Sequence, residues 1–465
     1  MRHLESRQAL QDEDAVLFRP ILRTGGQFYL VAAGLLAVAL WGFYAFSQQL
    51  RYGLGVTGLN RPVYWGFYIT NFVFFIGISH AGTLISAILR LCRAEWRRPI
   101  TRMAETITVL VLFFGLGSII MDLGRPDRAL FVIPFLQYGR VQSPLVWDVM
   151  SISMYLTAST IYLYMPLIPD IALLRDRVTG WRRGFYRALS LGWTGSPRQH
   201  RHLEIAIAIM AVLVIPIAVS VHTVVSWVFA MTIQPMWHST IFGPYFVAGA
   251  IFSGIAALII TMALIRKVYH LEDYLKPLHF NYLGILLLVM TMLWFYFTFA
   301  EYITTYYGSA PDEMAVFWEK LTGRYATFFW AMVLFDFVIP FTILAYNRTR
   351  RTISGTVVAS LSVVIGMWLE RFTIVVPTLV NPRLPWSRGV YFPTWVEISV
   401  TVGAFATFTL LYMLFTKFFP IVSIWEVREG RERGLREVEE RIREYLPGPA
   451  RPEKARVSPE PPLVR

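Results

Sequence analysis

One cysteine, Cys92, is all this chain has. A single thiol supports no disulfide framework and cannot hold an iron–sulfur cluster, which takes about four ligands, and no C-x-x-C-H run offers covalent haem attachment. Any redox metal used with this protein therefore belongs to another chain, unless it is a non-covalent haem. Charge is scarce as well. It accounts for 16% of residues, against roughly 25% in an average soluble domain. No secretory signal is visible, because the first 26 residues are polar and the apolar run after them is long enough to stay as an anchor.

Hydrophobic residues fill the space, at 55% of the chain with a mean hydropathy of +0.50. Crossing a bilayer takes about 20 apolar residues as a helix. Ten runs are read as spans: Phe28–Phe46, Trp65–Leu91, Thr106–Met121, Leu145–Met165, Ile205–Ile233, Phe242–Ile265, Phe280–Tyr302, Phe328–Tyr346, Val357–Val376 and Val396–Phe419. Loops on one side carry 18 Lys and Arg residues and those on the other carry nine, Lys320 among them. The positive-inside rule then places both termini in the cytoplasm, and an even span count agrees. The formal charge of +13 follows from this topology and from contact with anionic lipid, with no need of a nucleic acid.

The chain looks internally duplicated. Gly66, Tyr68, Phe75, Gly77 and Ile78 recur as Gly243, Tyr245, Phe252, Gly254 and Ile255, at one constant offset. Four spans separate the copies, so the repeats run parallel. The expected architecture is an all-α polytopic membrane protein with two four-helix bundles and two peripheral helices. Its segments are a cytoplasmic start (1–26), a first helix with its outer loop (27–64), the first bundle (65–233), the second bundle (234–376), an outer loop with the tenth helix (377–424), and a charged helix with a proline-rich tail (425–465).

Ionisable groups at membrane depth are costly and mark function or an internal ion pair. The first bundle offers His80, Asp122, Asp148 and His222, one on each of four helices. Such groups can take the protons released when a quinol gives up two electrons. Each also has a plainer reading: Asp122 caps its helix or pairs with Arg125, Asp148 is interfacial, and His80 donates to a backbone carbonyl. Tyr138 and Trp147 supply aromatic walls beside Asp148 that suit a flat quinone head, or serve as interfacial anchors. The second bundle offers Glu301, Asp336 and the adjacent Glu370 and Arg371, read as a proton relay or a structural ion-pair network. Side chains of neighbouring residues leave a helix about 100° apart, so the partner expected for Arg371 is a carboxylate on another helix.

At these residues the chain resembles a known family. Ile78-Ser79-His80-Ala81-Gly82-Thr83-Leu84-Ile85-Ser86-Ala87-Ile88-Leu89 is similar to the second-span signature of the NrfD/polysulfide-reductase membrane subunits. The runs 143–148, 173–177, 220–222, 244–254, 366–372 and 393–396 are similar to the ActC subunits of its alternative complex III branch. The resemblance implies a subunit without haem or cluster of its own that oxidises menaquinol near the periplasmic face of a bacterial inner membrane. It also implies partners: a periplasmic iron–sulfur subunit, c-type cytochrome subunits and a second NrfD-like membrane subunit. Carried over residue by residue, the quinol site falls on His80 and Asp148, with His222 and Arg371 in support. One departure is Asp122, which stands where the family has a histidine. A secondary transporter built on parallel repeats, and a b-type cytochrome using His80 and His222, are the competing readings.

Overall fold

A computed structural model describes residues 16–132, 142–384 and 388–445. Among the described residues, ten helices are long and apolar enough to cross a membrane: Gly26–Tyr52, Phe67–Leu91, Thr101–Asp122, Pro144–Arg175, Pro197–Ala230, Phe242–Tyr269, Pro277–Gly308, Ala326–Ala345, Ile353–Val380 and Trp395–Phe418, spans one to ten. No strand occurs among the described residues. Local signals fix the helix starts. Pro144, Pro197 and Pro277 each sit in a first turn, where the missing N–H costs nothing, and Ser196 with Gln199 forms a capping box.

An even number of crossings returns the chain to the face it left, and contacts there confirm it. The Lys417 ammonium at the end of span ten donates to the Pro20 carbonyl near the start of the chain. Spans two and six lie at the centre and pack against each other, span two also contacting three, five and nine. Span one leans on span ten at the edge, where Gly42 and Gly403 meet backbone to backbone: a Cβ on Gly42 would lie 2.7 Å from the Gly403 Cα. Span eight contains a π-helical turn, Leu334–Val338, centred on Asp336. Pro340, four residues on, has no N–H for the Asp336 carbonyl, and the helix widens, with Ile339 bonding to Leu334 instead.

Spans three and four run further toward the termini face than their apolar runs. Arg102 is therefore no loop residue: it lies within span three, 1% exposed, paired with Asp170 of span four at 2.5 Å. Hydropathy alone stops the span at Thr106, because it cannot see that two opposite charges neutralise each other. Arg102 also donates to the carbonyls of Pro166, Pro420 and Val422 and to Ser423. Asp170 accepts from the Ile424 and Trp425 amides, which open the last helix, Ile424–Tyr445. Glu426 of that helix pairs with Arg90 and Arg97 beneath the first bundle.

Candidate functional site

In the first bundle, His80 and His222 come together and the two carboxylates stand apart from them. His80 is fully buried, with Nδ1 2.9 Å from the Ile76 carbonyl and Nε2 2.5 Å from the Ala218 carbonyl of span five. A neutral imidazole has one N–H, so it donates to one of these oxygens at a time. The His80 ring lies 4.3 Å from that of His222 and 5.0 Å from that of Tyr155, whose hydroxyl donates to the Ser79 carbonyl. His222 is the reverse case: it is equally buried, and neither ring nitrogen has a hydrogen-bond partner among the described residues. Two rings in direct contact leave no space for a porphyrin between them, so this pair does not fit bis-histidine haem ligation.

Asp148 is 2% exposed, and its Oδ1 has no partner among the described residues. It precedes Tyr155 by seven residues, two turns or about 10 Å along one face of span four. It thus stands above the histidine pair, toward the face opposite the termini. Trp147 is half-buried beside it, and Tyr138 lies outside the described residues. Asp122 does not pair with Arg125, which forms a two-point contact with Asp127 instead, at 2.9 and 2.8 Å. Its surroundings are Tyr68 and Glu397, near spans one and ten. The four groups thus fall into one histidine pair, one carboxylate above it and one carboxylate to the side.

In the second bundle the expected charges do assemble. Arg371 is 1% exposed and its Nη1 lies 2.6 Å from Glu370 Oε2, so its partner is its own neighbour rather than a residue of another helix. Beyond that ion pair, neither guanidinium amine has a hydrogen-bond partner among the described residues. The guanidinium instead crosses the bundle interface. It lies over the Phe246 ring, 4.8 Å from its centroid, and a Cβ on Gly249 would stand 2.7 Å from its Nη2. Gly77 of span two borders the same nitrogen, and the Phe246 ring is approached by that of His222, with centroids 6.2 Å apart. Arg371 accordingly lies where span nine meets spans two and six. Both oxygens of Asp336, fully buried in the π turn, lack partners among the described residues and press on Gly366, one turn from Glu370. Glu370 Oε1 accepts from Trp294 Nε1 at 3.2 Å, and Glu301 accepts from Ser239 at 2.6 Å.

Two functional candidates escape a reading by sequence. Glu105 lies buried within span three, bonded to Ser86 at 2.8 Å with its other oxygen unpaired. Lys320 counts as an ordinary loop residue, yet it is 4% exposed. Flanking polarity hides the first, and only tertiary packing reveals the second.

The family model for polysulphide reductase NrfD matches residues 55–382, which takes in spans two to nine and, of the charged groups just described, all but Glu397. The chain belongs to the NrfD family. Similar NrfD-like proteins extend over almost all of it. A putative membrane subunit of the dimethyl sulfoxide reductase of Halobacterium salinarum is 26% identical, covering 89% of this chain and 96% of its own length. An Hdr-like menaquinol oxidoreductase integral membrane subunit of Archaeoglobus fulgidus is 24% identical, covering 89% and 99%. A subunit of the selenate reductase of Mesobacillus selenatarsenatis is 23% identical, covering 83% and 92%.

Proposed function

We propose that this NrfD-family chain is the quinol-oxidising membrane subunit of a menaquinol:acceptor oxidoreductase of the alternative complex III type. The observation that carries the reading is Asp148: a buried carboxylate with a free oxygen, two turns above a histidine pair and at the start of a span. Oxidising a quinol releases two electrons and two protons. Asp148 accepts a hydroxyl proton, His222 offers an unpaired ring nitrogen below it, and His80, held between two carbonyls, fixes the position of the His222 ring. The electrons leave to a periplasmic iron–sulfur subunit, and the complex is completed by c-type cytochromes and a second NrfD-like subunit. The names of the menaquinol and selenate reductase relatives support a place in a redox complex. Positive-inside topology makes the face opposite the termini the outer face of a bacterial inner membrane.

The test is Asp148→Asn in the assembled complex. We expect quinol-driven reduction of an external acceptor to fall by about a hundredfold or more, with the partner chains still co-purifying. Full activity would remove Asp148 from the chemistry. The transporter reading stays distinct: a chain that purified without an iron–sulfur polypeptide and moved a solute in liposomes would replace this proposal.

A further inference from the structure

The short helix Pro311–Leu321 caps the second bundle on the face opposite the termini, packing on spans seven, eight and nine. Beneath it lies a cavity of about 20 Å³ lined by Tyr245, Thr298, Glu301, Lys320 and Glu370, with apolar walls from Trp237 and Met332. A cavity needs about 10–15 Å³ and two or more polar partners to hold a water. This one has room for a single water and five side chains able to bond it, and it is too small for a quinone. Trp294, Thr298 and Glu301 follow one another along one face of span seven. They carry polar groups from Glu370, bonded to Trp294, past the Tyr245–Thr298 hydroxyl contact at 3.1 Å, to Glu301 and Ser239. The climb is seven residues, about 10 Å. The Lys320 ammonium closes the top, 6.0 Å from the Tyr302 ring centroid.

We propose that this cavity holds a water and, with Lys320, forms a proton-exchange site linking the Glu370–Arg371 pair to the membrane face opposite the termini. A proton delivered to the Glu370 carboxylate passes to the water, and the water hands one on to the Glu301 carboxylate or the Lys320 amine. No bond to carbon and no electron is involved. The facing titratable groups are Glu301 and Tyr302 from span seven, Tyr245 from span six, Glu370 from span nine and Glu313 from the cap helix itself. Burial brings Lys320 down to about 8 against the opposing pull of Glu301 and Glu370, so its amine exchanges protons near neutrality.

The site deepens the quinol-oxidation reading, on which it rests for the source of its protons, and its test begins with a measurement that needs no turnover. In the assembled complex, acidified until a protonated-carboxyl band that Glu370→Gln removes is present, mixing into D2O is followed by infrared spectroscopy of that band. We expect Lys320→Met, and independently Thr298→Val, to slow its exchange at least about tenfold. An exchange rate unchanged in both variants, or no band lost in Glu370→Gln, overturns the proposal. In sealed proteoliposomes, Lys320→Met should lower outward proton release per quinol while acceptor reduction with uncoupler continues. An unchanged proton ratio also overturns it. If the wild-type complex oxidises no quinol, the functional reading fails, while the exchange measurement still decides the site.

Discussion

Replacing Lys320 with methionine should make the cap helix 311–321 harder to open at neutral pH. The reasoning starts from a buried ammonium whose pKa falls from 10.5 to about 8 because the folded site penalises its charge. That gap corresponds to about 3 kcal/mol of differential interaction between the two protonation states. The sign follows from proton counting. Between pH 8 and 10.5 the open state binds more protons than the closed one, so wild-type stability rises with pH across this window. Below 8 the amine is protonated in both states and the full cost is present. Methionine keeps the unbranched stem and removes the charge, so the variant lacks this term. Amide hydrogen exchange on peptides covering residues 311–325 reads the difference as protection. We expect up to about 300-fold more protection in Lys320→Met at pH 7, shrinking steadily above pH 8. A pH-independent difference, or weaker protection in the variant at neutral pH, would refute the argument. The wild-type cost is what a proton-handling group imposes on its scaffold.

Other outcomes are specific to single contacts. Arg102→Met should cost about 3–5 kcal/mol, because Asp170 would stay buried without its partner; detergent-resistant assembly of the complex on heating reports it. His222→Phe should leave thermal stability unchanged or raised by about 1 kcal/mol, since it removes unpaired buried nitrogens, while quinol oxidation drops. His80→Phe should instead lower stability by about 1–3 kcal/mol, as the carbonyl of span two or five that His80 serves loses its donor. Gly249→Leu should displace the Arg371 guanidinium from the interface and reduce turnover with span topology intact, measured by quinol-driven acceptor reduction and protease mapping.

Ten crossings were legible in the sequence because the hydrophobic requirement of a bilayer is strict and local. So was the grouping of Glu370, Arg371 and Asp336, since charges on apolar helices have few places to go except one another. Arg102, Glu105 and Lys320 were not legible. Each sits where hydropathy is already falling, and whether a charge there meets water or a partner depends on helices far away in the chain. The partner of Arg371 was misjudged for a related reason. Ideal helix geometry separates neighbouring side chains, but a long guanidinium can fold back onto a neighbouring carboxylate when Phe246 and the two glycines shape its path.

The junction between Arg102, Asp170 and residues 420–425 has a bearing on biosynthesis. Spans three and four enter the membrane with a charged pair that has the Pro166 carbonyl to hand but lacks its other partners, since the carbonyls of Pro420 and Val422 and the amides of Ile424 and Trp425 emerge only after span ten. The base of the first bundle stays unfinished until residues 420–425 have been made. A chain ending near residue 419 would carry all ten spans and still leave Arg102 and Asp170 short of partners. Emergence of the segment after span ten is thereby reported at the opposite end of the fold from the proposed quinol chemistry.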